Sequence, residues 1–150
     1  MSLDIPSVQE IDGSGLRFAV IASRYNEALV DSLVHHACAT LEAAGSEAPL
    51  VERVPGAAEL PFAAATLAAH KRFNAILCIG VVIAGDTKHH EIIGDSTASA
   101  LLDLSLTYQV KFLTLVFFKA SKTLFVPKTL LLKYFFGYFC PSPITKLAAK

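Results

Sequence analysis

The stretch Ala75–Ile83 (AILCIGVVI) carries no charged side chain over nine residues. A strand with one wet face alternates apolar and polar positions, so a continuous apolar run of this length must be covered on both faces. It is also far below the roughly 18–20 apolar residues that span a bilayer. A second run of the same kind, Arg17–Ala22 (RFAVIA), lies upstream, and Leu50–Val54 reads as a shorter strand closed by Pro55-Gly56. Helical spacing fills the intervals. Residues 27–44 place Leu29, Leu33, Ala37 and Leu41 about one turn apart, with Gly45 as the stop. The Ala- and Leu-rich segment from Ala58 to His70 predicts a helix that tolerates Pro61 in its first turn. Residues 90–107 predict a third helix with Ala98, Leu101, Leu102 and Leu106 inward, and Phe112–Phe118 reads as a fourth strand. Strands alternating with helices through short connections imply a parallel α/β sheet of about four strands covered by helices on both faces.

Ligands of such sheets sit at the carboxyl ends of the strands. Three polar segments fall there: Ser23-Arg24-Tyr25-Asn26, Pro55 to Glu59, and Ala84 to His90. In the last, Gly85-Asp86-Thr87 precedes a helix, so free backbone N–H groups, the Thr87 hydroxyl and the helix dipole favour an anion such as phosphate. The same turn serves equally as an ordinary helix cap. His89 follows it, and an imidazole moves protons in both directions near neutral pH. Tyr25 offers a ring to stack on a planar heterocycle, or a cover for the core. Glu59 is able to accept hydrogen bonds from hydroxyls, or simply to complement a helix dipole. His89, His90 and Glu91 are consecutive, diverge on a helix and make a poor metal site. His35 and His36, within a largely apolar helix, read as packing or interface residues, and Cys78 as core.

Hydrophobic residues are 53% of the 150 and the formal net charge is zero, which excludes a disordered chain and a polybasic nucleic-acid binder. The neutrality joins two unlike parts. Residues 1–103 hold thirteen acidic and six basic residues, whereas residues 104–150 hold seven lysines and no acid. Seven of the ten phenylalanines also fall after Val110. Cys38, Cys78 and Cys140 are odd in number and widely spaced, which argues against a disulfide framework or zinc site and for a reducing compartment. The acidic first residues lack the features of a signal peptide, and 1–14 read as an arm ahead of a single domain.

Taken together, SRYNEALVDSL, VPGAAELPFAA and IGVVIAGDTKHHEII resemble, in order and spacing, the three active-site blocks of the 6,7-dimethyl-8-ribityllumazine synthase family, over roughly residues 15–108. The resemblance implies a flavodoxin-like α/β/α sandwich, a cytoplasmic homopentamer or multiple of it, and riboflavin synthase as a candidate partner. It implies a transferase of riboflavin biosynthesis that joins 5-amino-6-(D-ribitylamino)uracil to 3,4-dihydroxy-2-butanone 4-phosphate, without cofactor, metal, nucleic acid or membrane. By position, Tyr25 would stack on the pyrimidine, Ala57, Ala58 and Glu59 would line the ribityl side, and Val81, Val82 and Ile83 would contact the uracil edge. Asp86 and Thr87 would meet the butanone phosphate, and His89 would relay protons. Ala84 stands where the family has a basic residue, and His90 where it has an aromatic. After Val110 the family's phosphate-binding arginine block and long final helix are not legible in KFLTLVFFKASKTLFVPKTLLLKYFFGYFCPSPITKLAAK. This divergent 111–150 tail suggests a frameshift or intron read-through near Gln109–Lys111. A chain so altered would be a catalytically defective or purely structural subunit of the same ancestry.

Overall fold

The computed structural model describes residues 12–119. Within them the chain runs β1 (Phe18–Ser23), α1 (Glu27–Ala43), β2 (Leu50–Val54), a single 3-10 turn (Ala57–Glu59), α2 (Leu60–Ala69), β3 (Ala75–Ile83), α3 (His89–Tyr108) and β4 (Lys111–Lys119). The four strands form one parallel sheet in the order β2-β1-β3-β4. The continuous apolar runs are the two central strands, β1 and β3, as burial on both faces demands.

Side chains alternate across this sheet and split the core in two. Phe18, Val20 and Ala22 of β1 join Leu77, Ile79 and Val81 of β3 beneath Val30, Leu33, Val34, Ala37 and Leu41 of α1. Ala19, Ile21, Ile76 and Cys78 pack on the other face with Leu60, Ala64 and Ala68 of α2 and Leu101 of α3. The result is a three-layer α/β/α sandwich with α1 on one side and α2 and α3 on the other. α1 ends as Gly45 predicts. With φ at 87°, Gly45 donates its N–H to Glu42 O and Ser46 donates to Leu41 O, the paired bonds of a Schellman stop.

Two expectations need correction. The helix expected from Ala58 to His70 is divided: residues 57–59 make a 3-10 turn and the α-helix begins at Leu60, with Pro61 in its first turn. The inward face of α3 is also not the expected one. Leu101 is fully buried, but Ala98 is exposed, and Leu102 and Leu106 are 64% and 74% exposed. Ile93, Gly94, Thr97, Leu101, Leu104 and Tyr108 face the core instead. The hydrogen bond from Thr97 to Ala57 O ties this face of α3 to the 3-10 turn and fixes the helix's rotation. Residues 1–11 of the expected arm, and the tail beyond Lys119 with Cys140, lie outside the described residues.

Candidate active site

In the order β2-β1-β3-β4, the chain leaves β1 toward β2 on one side and returns across to β3 on the other. The crevice at the carboxyl ends of β1 and β3 is therefore the switch point where open α/β sheets bind ligands. Backbone and side-chain bonds tie the three predicted segments together there. Arg24 N–H donates to Val54 O at 2.9 Å and Tyr25 N–H to Pro55 O at 3.3 Å, joining the β1 loop to the β2 loop. Asn26 Nδ2 donates to Val81 O at 2.8 Å, joining the same loop to β3. Asn26 is left-handed (φ 59°), a conformation asparagine tolerates better than most residues.

Tyr25, 72% exposed, lies beside Gly56. A Cβ at residue 56 would stand 3.1 Å from Glu59 Oε2 and 3.4 Å from Tyr25 Cδ2, so a larger residue would press on the carboxylate that closes over this backbone. Glu59 Oε2 accepts the Gly56 N–H at 2.8 Å, which orients the carboxylate and leaves its other oxygen available. Ala57 is buried against Gly80 of β3, while Ala58 is exposed. Thr97, buried on α3, donates its hydroxyl to Ala57 O at 3.3 Å and so couples the helix that begins at His89 to this turn. Val81 is buried toward α1, and Val82 and Ile83 are half-buried on opposite faces of the strand.

Asp86, Thr87 and His89 are exposed at the end of β3, in the turn and first residue of α3. Among the described residues, the N–H groups of Thr87, Lys88, His89 and His90 donate to no backbone acceptor, as an anion-binding helix start requires. No side chain caps α3 at Lys88. His90 Nδ1 instead bonds Thr87 O at 2.8 Å. The predicted site residues thus come from three consecutive strand ends onto one rim. Asn26, Gly56 and Thr97 join them as residues that hold the rim in shape. Asn26 was legible as an asparagine between a strand and a helix, whereas the Thr97 bond joins residues forty positions apart and left no local signal.

Several other groups take no part in these ties. Ser23 Oγ is buried at the end of β1 without a hydrogen-bond partner among the described residues. Cys78 is core, and burial pushes its thiol up to about 12. Cys38 is half-buried, its thiol raised by desolvation and by Glu42. The His35 and His36 rings stand 5.7 Å apart on α1, the first exposed and the second half-buried. Among the described residues, no group of three or more His, Cys, Asp or Glu is placed to hold a metal ion, and no helix is long and apolar enough to cross a membrane.

The model of the family 6,7-dimethyl-8-ribityllumazine synthase matches residues 15–122. The match therefore takes in β4 and extends past the blocks quoted above. Curated relatives carrying that name include one from Methylobacterium radiotolerans, 41% identical over 65% of this chain and 58% of its own length. Another, from Kineococcus radiotolerans, is 43% identical over 65% of this chain and 60% of its own. A third, from Stenotrophomonas maltophilia, is 47% identical over 63% of this chain and 62% of its own. The chain thus spans about three fifths of the length of the relatives it matches. With a matching family model over most of its residues and these relatives along its strands and turns, the chain belongs to the 6,7-dimethyl-8-ribityllumazine synthase family.

Proposed function

We propose that this chain is a 6,7-dimethyl-8-ribityllumazine synthase, a transferase that condenses 5-amino-6-(D-ribitylamino)uracil with 3,4-dihydroxy-2-butanone 4-phosphate and releases phosphate and water. The observation that carries this reading is the convergence of Tyr25, the Gly56–Glu59 turn and the Asp86–His89 turn on one rim at the sheet's switch point. Tyr25 stacks on the pyrimidine, and Ala57, Ala58 and Glu59 line the ribityl chain, with the free oxygen of Glu59 accepting from its hydroxyls. The Val81–Ile83 edge borders the uracil. Asp86, Thr87 and the helix start of α3 receive the phosphate.

Imine formation, loss of phosphate and ring closure require orientation and proton transfer more than a strong nucleophile. In this reading His89, which is exposed and has no side-chain hydrogen bond among the described residues, takes a proton at one step and returns it at another. The family's assembly supports a homo-oligomer, pentameric or a multiple of it, in the cytoplasm, with riboflavin synthase as its partner. Exposed Phe62, Ile92, Leu102 and Leu106 on the α2–α3 side are consistent with such contacts. The acid-free residues 104–150 favour a second reading, a catalytically defective or structural subunit. A steady-state assay with both substrates separates the two. Product formation well above the spontaneous rate, lowered by His89→Ala, supports the enzyme, and a wild-type rate equal to the spontaneous one refutes it.

A further inference from the structure

We propose that His90 is a positioning residue that aims the Lys88 N–H at the bound anion by pinning the Thr87 carbonyl. The proposal rests on the reading of this turn as the phosphate end of the site, and it assigns a role to a residue that stands where the family has an aromatic.

The ring of His90 is mostly buried, with Nδ1 2.8 Å from Thr87 O and Nε2 3.9 Å from Glu91 Oε1. A carbonyl oxygen only accepts, so the proton of this bond sits on Nδ1. The Thr87 carbonyl and the Lys88 N–H belong to one trans peptide plane and point in opposite directions. Holding the oxygen against the His90 ring therefore turns the Lys88 N–H away from it, out of the helix start. That N–H has no backbone acceptor among the described residues. The first bonds of the helix, from Glu91 N–H and Ile92 N–H, go to Lys88 O, one peptide further on. Among the described residues, His90 thus supplies the only hydrogen bond to the Thr87 carbonyl. A phenyl ring fills the same space but donates nothing, and leaves the Thr87–Lys88 peptide free to rotate.

The test uses the full chain labelled with nitrogen-15. Long-range proton–nitrogen spectra of the imidazoles are expected to show His90 protonated at Nδ1, and a neutral ring protonated at Nε2 would overturn the proposal. Inorganic phosphate is then titrated while the Lys88 amide signal is followed. In His90→Phe the phosphate dissociation constant is expected to rise about 5-fold, the effect of one typical net hydrogen bond. In His90→Asn, whose amide nitrogen takes the place of Nδ1, it should return to within about twofold of wild type. Equal constants in wild type and His90→Phe would overturn the positioning role and leave the phosphate turn standing. A wild-type chain whose turn shows no response to phosphate would remove the turn's assignment and this proposal with it.

Discussion

Ser23 Oγ sits at the carboxyl end of β1, buried and without a partner among the described residues. An unpaired buried hydroxyl costs roughly 1–3 kcal/mol, so its removal relieves a penalty that shape-matched alanine does not carry. Ser23→Ala is therefore expected to leave stability unchanged or raise it by up to ~1 kcal/mol in urea unfolding. A clear loss would reveal that the hydroxyl has a partner in the folded chain. His89 makes the opposite kind of residue-level prediction. General acid–base groups contribute about 10²- to 10⁴-fold, and much of this condensation is driven by orientation, so His89→Ala should lower kcat at the bottom of that range. Its fold, read by circular dichroism, should not change, because the side chain is exposed. Cys78 ties the core to pH. Its thiol is raised from 9.0 to about 12 by burial, so between these values the folded chain holds a proton that the unfolded chain releases. Stability from this group is thus fully present below pH 9 and falls as pH rises toward 12. Cys78→Ala should flatten that alkaline slope while lowering stability overall through the cavity it opens.

Among elements, the strands and α1 were written locally and α3 was not. β3 is bounded in the structure as its apolar run is bounded in the sequence, because a buried parallel strand depends on few things beyond its own residues. α1 likewise follows from Leu33, Ala37 and Leu41 at helical spacing and from Gly45, with Val30 and Val34 widening the buried stripe. α3 carries apolar residues on opposite sides, and the expected face, which mixes Leu101 of one with Leu102 and Leu106 of the other, falls between them, ~100° from the observed one. What settles the rotation is tertiary: Gly94 and Thr97 are buried on the core side, and the Thr97 hydroxyl bonds Ala57 O of the 3-10 turn. The candidate site divides in the same way. Tyr25, Glu59, Thr87 and His89 were visible as chemistry at predicted strand ends. The ties that hold them, Asn26 to Val81 and Thr97 to Ala57, span 55 and 40 residues and have no local signature. The rotation of α3 is testable with two neighbouring leucines. Leu101→Ala should cost about 2–4 kcal/mol by leaving a cavity, whereas Leu102→Ala should cost no more than ~0.5 kcal/mol in a dissociated subunit. Chemical denaturation at low protein concentration distinguishes them, and equal costs would contradict the observed face.

For the whole molecule, the second apolar side of α3 is the feature that one subunit leaves unexplained. Ile92, Leu102 and Leu106 fall within one side of the helix, opposite the face that meets the core, and Phe62 is exposed on α2 on the same side of the sheet. Scattered single leucines on a surface need no explanation, but a stripe that follows the helical repeat on the far side of a packed helix does. A homo-oligomer of the kind proposed would cover it with another copy of the chain. Each leucine fully buried in that contact contributes about 1.5–3 kcal/mol relative to exposure. Placing two carboxylates there removes that gain and adds the cost of taking charge out of water. Leu102→Glu combined with Leu106→Glu should therefore shift the mass measured by light scattering from the wild-type assembly to smaller species. Because both side chains point away from the core, the far-ultraviolet circular dichroism of the subunit should persist. An assembly whose mass is unaffected by the double substitution would place the subunit contacts elsewhere. A wild-type chain that stays monomeric at micromolar concentration would remove the homo-oligomer itself.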